Sequence, residues 1–229
     1  MRLAVINTGK KEKNNEKDHQ ECAPAHREQN TLVDKRCSGL RKKTCTRQVR
    51  LSHCSIVKII VIGDRACGKT SLGKALAERL GWPFFDVDEG IHASSGMTNV
   101  EIWVNHGEPE LRRIEHGVCE AMCGHDPAVI SFSAGATVQP RNFRFLEEDN
   151  TFVVYINAGI DLLWDRLQSD PQTKDRRPQQ STGGIEEVIE LYNKRHPIYG
   201  RFAHSTLDAG LSLDTMVDRV MAELDTGKP

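Results

Sequence analysis

The spacing of apolar residues changes period repeatedly along the chain. Ser55-Ile56-Val57-Lys58-Ile59-Ile60-Val61-Ile62 is mostly β-branched and apolar, as a strand buried on both faces should be. Leu72, Ala75, Leu76 and Leu80 then recur at helical spacing until Gly81 and Pro83 stop the helix. Pro83 to Asp88 reads as a short strand ending in two acids, with a helix starting near Glu89. Thr98 begins a helical segment containing Val100, Ile102 and Trp103. Glu108-Pro109 opens a longer helix whose apolar stripe is Leu111, Ile114, Val118 and Met122. Ala128 to Phe132 is a third strand, followed by a small-residue turn, Ser133-Ala134-Gly135-Ala136; Thr151 to Ile156 is a fourth. A helix over Leu162, Leu163, Arg166 and Leu167, another from Ile185 to Tyr199, a strand near Phe202–Leu207 and a helix near Leu213–Leu224 complete the series. Such alternation predicts an α/β fold with a mainly parallel five-stranded sheet and helices on both faces.

Two stretches fall outside this pattern. Residues 1–54 lack sustained periodicity, and there Lys and Arg outnumber Asp and Glu by seven, whereas the remainder carries eight more acids than bases. A segment of this kind cannot bury enough apolar surface to offset its ordering entropy. The expected organisation is therefore a disordered basic leader over 1–54 and one folded domain over 55–229. No aromatic pattern accompanies the basic charge, so nucleic-acid binding is not expected. The second stretch, Asp170 to Gly184, is a long polar loop inside a compact domain, the profile of a mobile lid.

Gly63-Asp64-Arg65-Ala66-Cys67-Gly68-Lys69-Thr70 lies between the first strand and the first helix and fits the phosphate-cradling P-loop pattern. Backbone N–H groups of such a loop, with the positive end of the helix that follows, attract phosphate oxygens. The nucleotide-contacting set is Gly63, Ala66, Cys67, Gly68, Lys69, Thr70 and Ser71. Lys69 reaches the outer phosphates, and the Thr70 hydroxyl is a Mg²⁺ ligand. ATP and Mg²⁺ are thus the expected nucleotide and metal.

Asp86 and Asp88 end the second strand, where ligands meet an open α/β sheet; capping the next helix is the bland alternative for one of them. Arg112 and Glu115, three apart, could be no more than a surface ion pair. Arg176 and Arg177 suit a lid that meets phosphoryl charge, or are simply solvated. Arg195, near a helix end before Pro197, could serve only the helix dipole. The seven cysteines form an odd set that reads as thiols of a reducing compartment rather than a disulfide framework. No apolar run is long enough to cross a bilayer, so a soluble protein is expected, and with reduced thiols a cytoplasmic one.

Together these residues resemble the shikimate kinase family over about residues 56–225. Asp86-Val87-Asp88 resembles that family's Asp-x-Asp; Ser95-Gly96-Met97-Thr98 and Glu101-Ile102 resemble the segment after it. Leu111-Arg112-Arg113-Ile114-Glu115 is similar to its Phe-Arg-x-x-Glu helix, Arg177-Pro178 to its lid, and Arg195-His196-Pro197-Ile198-Tyr199 to its Arg-x-Pro-Leu-Tyr. The resemblance implies a P-loop kinase fold and ATP-dependent phosphorylation of shikimate to shikimate 3-phosphate, in aromatic amino-acid biosynthesis; a monomer is expected. It implies that Lys69, Asp88 and Arg177 are catalytic, that Arg177 also contacts ATP, and that Thr70 and Asp86 hold Mg²⁺. Asp88, Arg112, Ala134, Gly135 and Arg195 would hold the acceptor. Ser133-Ala134-Gly135 stands where the family carries three glycines, so Cβ atoms at 133 and 134 are expected to narrow the pocket or disturb the backbone. Gln179-Gln180 replaces two leucines in the lid. Another hydroxylated acid as acceptor, or a non-catalytic nucleotide-binding relative, are the alternatives.

Overall fold

The computed structural model describes residues 56–169 and 184–226. The basic leader, and the lid stretch with Arg176, Arg177, Gln179 and Gln180, lie outside them.

Five strands form one parallel sheet: β1 (Lys58–Gly63), β2 (Phe84–Asp86), β3 (Ala128–Ser131), β4 (Thr151–Asn157) and β5 (Ser205–Asp208), in the order β2-β3-β1-β4-β5. All pairs are parallel, because each connection carries a helix back across a face. Successive β1 side chains point to opposite faces. Ile59 and Val61 join a core with Leu72, Leu76, Val154, Val217 and Val220, while Ile60 and Ile62 join another with Val87, Ile91, Ile102, Leu111 and Tyr199. Both faces are covered, which is why β1 reads as a continuous apolar run. Its one charged residue, Lys58, is 2% exposed and donates to Glu148 at 2.7 Å.

The helices are α1 (Lys69–Leu80), α2 (Val87–Ser95), α3 (Asn99–His106), α4 (Glu108–Cys123), the short α5 (Ala134–Thr137) and α6 (Phe143–Leu146), then α7 (Ile160–Ser169), α8 (Gly184–Phe202) and α9 (Leu213–Thr226). Local chemistry sets their ends. Gly81, left-handed at φ 70°, closes α1 with its N–H on Ala77 and Glu78. Thr98 and Glu101 form a capping box at the start of α3, and Pro109 sits in the first turn of α4.

Four expectations are corrected. The second strand ends at Asp86, and Asp88 lies in the first turn of α2. The small-residue turn is the helix α5, N-capped by Ser133. The buried stripe of α4 is Leu111, Glu115, Val118, Cys119 and Cys123, with Ile114 and Met122 only half-buried. Finally, α8 passes through Pro197 as expected but continues beyond Tyr199 to Phe202, because the buried Tyr199 and Phe202 hold its last turn against the core. Arg195 is therefore inside the helix rather than at its end.

The strand order reverses at β1: the chain leaves it by α1 toward β2 on one side, and returns to β4 on the other. The carboxyl ends of β1, β2 and β3 open onto this switch point, the standard location of a ligand crevice.

Candidate active site

The nucleotide end of the crevice is the loop from β1 to α1. Gly63 and Gly68 have φ of 144° and 106°, which favour glycine, and a Cβ on Gly63 would lie 2.7 Å from the Ile156 carbonyl oxygen. Ala66 adopts φ 63° despite its side chain, a conformation that costs an L-residue about 1–2 kcal/mol. The Lys69 ammonium donates to the Asp64 carbonyl at 2.8 Å. The Cys67 side chain is buried, and burial pushes its thiol up, so it remains neutral. The Cys67 backbone N–H donates to the Asp64 carbonyl at 3.4 Å, and Cys67 is not part of the cavity wall. Gly63 shapes the turn and is not part of the cavity wall.

Arg166, from α7, locks this loop from behind. Its guanidinium donates to the carbonyls of Ala66 (3.2 Å), Cys67 (3.3 Å) and Ala209 (3.0 Å). It thereby ties the P-loop to the turn after β5.

Beside the loop stand the two aspartates. Thr70 Oγ1 donates to Asp86 Oδ2 at 2.8 Å, and the Asp88 backbone N–H donates to Asp86 Oδ1 at 3.0 Å. Asp86 thus caps α2 and faces the Thr70 hydroxyl with the same carboxylate. Asn99 Nδ2 donates to Asp88 Oδ1 at 2.7 Å and fixes that carboxylate's orientation. The protein around Asp88 raises its pKa by desolvation, and the Asp86 charge adds to this. Asp88 is exposed to the water of the open crevice, which screens both contributions.

The far end is cationic. Arg112 donates to Glu115 at 2.9 Å and to Glu108 at 3.2 Å, and its guanidinium lies 5.9 Å from the Trp103 ring centre. With side chains 11% and 3% exposed, Arg112 and Glu115 are no surface pair. Burial raises the Glu115 pKa, and Arg112, then Ser133, which donates to it at 2.5 Å, pull it back. A Cβ on Gly135 would fall on Arg112 Nη1, so the absence of a side chain there lets the guanidinium reach Glu115. Ser133 has φ −63° and ψ 151°, ordinary extended backbone, so its side chain disturbs nothing; it is spent on Glu115 and on capping α5 at the Ala136 N–H (2.9 Å). Ala134 lines the cavity. Arg195, on α8, is 9% exposed and lies 3.6 Å from Asp64.

Ala66, Gly68, Lys69, Thr70, Ser71, Asp86, Asp88, Arg112, Ala134, Gly135 and Arg195 all line one cavity of ≈ 740 Å³. That volume is the size of a small-molecule site. One end offers backbone N–H groups and an ammonium to a phosphate chain; the other offers two guanidinium groups suited to a carboxylate. Asp88 stands between them. The arrangement can hold a phosphate donor and an acidic, hydroxylated acceptor side by side, with a proton acceptor at the junction.

Residues 65–225 match the shikimate kinase family model. The chain belongs to the shikimate kinase family. Shikimate kinase from Ruegeria pomeroyi is 34% identical over 172 residues, covering 74% of this chain and 86% of that protein. The enzyme from Rhizobium meliloti is 30% identical over 165 residues, covering 72% and 83%. Among solved structures, shikimate kinase from Acinetobacter baumannii in complex with shikimate matches with TM-score 0.68 and 27% identity, covering 76% of this chain and 95% of that one. A gluconokinase from Sinorhizobium meliloti, at 16% identity and TM-score 0.54, shares the fold. The chain is an ATP-dependent shikimate kinase of the P-loop kinase fold.

Three residues of this shikimate kinase site escaped the sequence reading: Asp64, Asn99 and Arg166. Asn99 opens α3, eleven residues after Asp88 and across α2, so its contact with Asp88 is tertiary. Asp64 and Arg166 carry no local signal, because their partners are distant in sequence. Among the described residues, no helix is long and apolar enough to cross a membrane.

Proposed function

We propose that Lys69, Asp88, Arg112 and Arg195 work together in the transfer of the terminal phosphoryl group of ATP to the 3-hydroxyl of shikimate. The observation that carries this reading is their meeting in one cavity, cations at both ends and a carboxylate in the middle. Lys69 leaves the Asp64 carbonyl to meet the charge on the transferring group, while the loop N–H groups hold the remaining phosphates. Arg112 and Arg195 clamp the shikimate carboxylate and so orient the ring, leaving its hydroxyls toward Asp88, with Ala134 and Gly135 as the wall against which the ring rests. Asp88 accepts the proton of the attacking hydroxyl as the new O–P bond forms and the bond to the ADP oxygen breaks. Its raised pKa makes it a better proton acceptor than an ordinary aspartate. Arg177 is assigned to the lid, closing over ATP.

Thr70 and Asp86 fit a divalent ion: a hydroxyl and a buried carboxylate already face each other at hydrogen-bond distance beside the phosphate loop. Mg²⁺ held there supplies charge neutralisation for the phosphates. The remaining rate enhancement comes from positioning by the side chains above. The described residues of one chain supply the loop, Asp88 and both arginines, so a monomer suffices for the activity we assign, and free thiols at Cys67, Cys119 and Cys123 suit a cytoplasmic enzyme.

A coupled assay for ADP release, run with Mg²⁺ and with and without shikimate, tests the reading. Shikimate-dependent release supports it. Release equal to the ATP-only background in folded protein rejects it.

A further inference from the structure

The crevice contains a carboxylate to which this reaction gives no part. Asp64, in the P-loop, is 8% exposed and engages one cation from each end of the site. Lys69 donates to its carbonyl oxygen at 2.8 Å, and Arg195 Nη1 lies 3.6 Å from Oδ1. The Tyr199 hydroxyl approaches the same Oδ1 at 3.4 Å and the Ala134 carbonyl at 3.3 Å. At 3.6 Å the contact with Arg195 is an ion pair rather than a good hydrogen bond, so the guanidinium keeps donors for another anion. Burial raises the Asp64 pKa, and Arg195 and then Lys69 oppose that rise.

We infer that Asp64 is a resident counter-carboxylate for Arg195 that sets how tightly the acidic acceptor binds. The inference rests on the reading that Arg195 clamps the acceptor's carboxylate. That carboxylate and Asp64 then present two negative charges to one guanidinium in a narrow crevice. Each weakens the other's hold, so Asp64 lowers affinity for the acceptor and favours its release. The effect acts through Arg195, which makes Asp64 a positioning residue.

Asp64→Asn in the full-length protein keeps the shape and an acceptor for Tyr199 but removes the charge. The KM for shikimate falls roughly ten-fold, the size expected of one like charge across a shared guanidinium in a wet cleft. The KM for shikimate changes more than kcat or the KM for ATP, which the same charge reaches only through Lys69. Calorimetric titration with shikimate shows the same gain without relying on turnover. The methyl ester of shikimate, which has no carboxylate, gains nothing. Arg195→Ala separates the layers of the argument. If it leaves the KM for shikimate unchanged, the clamp is wrong and this inference falls with it. If it raises the KM while Asp64→Asn leaves affinity unchanged or weaker, the clamp stands and the inference alone is overturned. An equal gain for the methyl ester also overturns it, because relief would then be steric.

Discussion

Gly135→Ala puts one methyl group where the Arg112 guanidinium now lies. The new Cβ would clash with Nη1, and stand 3.0 Å from Cζ and 3.2 Å from Glu115 Oε1. Such contacts are relieved cheaply only when the struck group can swing away. Arg112 can, toward Glu108 at the rim, but only by giving up Glu115. Glu115 is 2% exposed and would keep only Ser133 as a partner. Breaking a buried pair on one side costs about 3–5 kcal/mol. Because Ser133 remains and Arg112 re-pairs at the surface, the loss here is put at about 2–3 kcal/mol. The catalytic consequence is separate: a clamp displaced by about 1 Å costs on the order of a hundred-fold. Thermal melting and steady-state kinetics therefore read two effects, a lower Tm and a raised KM for shikimate with the KM for ATP nearly unchanged. The stability loss also depends on pH. Burial already raises Glu115 above its unfolded value of 4.5, and removing Arg112 raises it further. A carboxyl with a raised folded pKa loses stability as pH rises through that pKa, so the deficit shrinks on acidification. Adding Glu115→Gln restores stability at neutral pH but not the KM. An unchanged KM for shikimate in Gly135→Ala would refute the packing argument.

Three further outcomes follow from the same geometry. Asp88→Asn lowers kcat by about 10²–10⁴, the usual contribution of a positioned general base, while calorimetry finds ATP binding intact; a near wild-type kcat contradicts the assignment. Ala66→Gly relieves the left-handed alanine in the P-loop and raises unfolding free energy by about 0.5–1 kcal/mol in denaturant titrations, the strain relief exceeding glycine's extra unfolded-state entropy. Arg166→Ala removes the donor shared by three carbonyls and raises the KM for ATP several-fold while sparing the KM for shikimate; equal effects on both would mean general loosening instead.

The fold was legible wherever neighbours in sequence are neighbours in space. β1, the glycines of the loop and the stripe of α1 lie within a few turns of one another, so spacing alone identifies them. Pro109 and the Thr98–Glu101 box mark helix starts by local hydrogen bonding for the same reason. Legibility ended where tertiary packing decides. The predicted helix stops at Tyr199, yet the burial of Phe202 carries α8 one turn further. With four residues, α5 is too short to show a period. Ser133 looked like an obstruction from its identity, but its hydroxyl is absorbed by Glu115 and by the α5 cap. The predicted residues that line the cavity are those in ordered motifs. Asp64 and Arg166 act through partners on other elements, which no spacing rule reaches.

The central claim is that a nucleotide and a carboxylic acid are held side by side, with Lys69 and Asp88 at their junction. The most direct measurement follows ATP labelled in its terminal phosphate, incubated with the protein, Mg²⁺ and shikimate. The account predicts that label appears in a phosphorylated form of shikimate, and that Arg112→Ala and Arg195→Ala each suppress this transfer at low shikimate concentration. Label recovered only as inorganic phosphate, or transfer indifferent to both arginines, would contradict it.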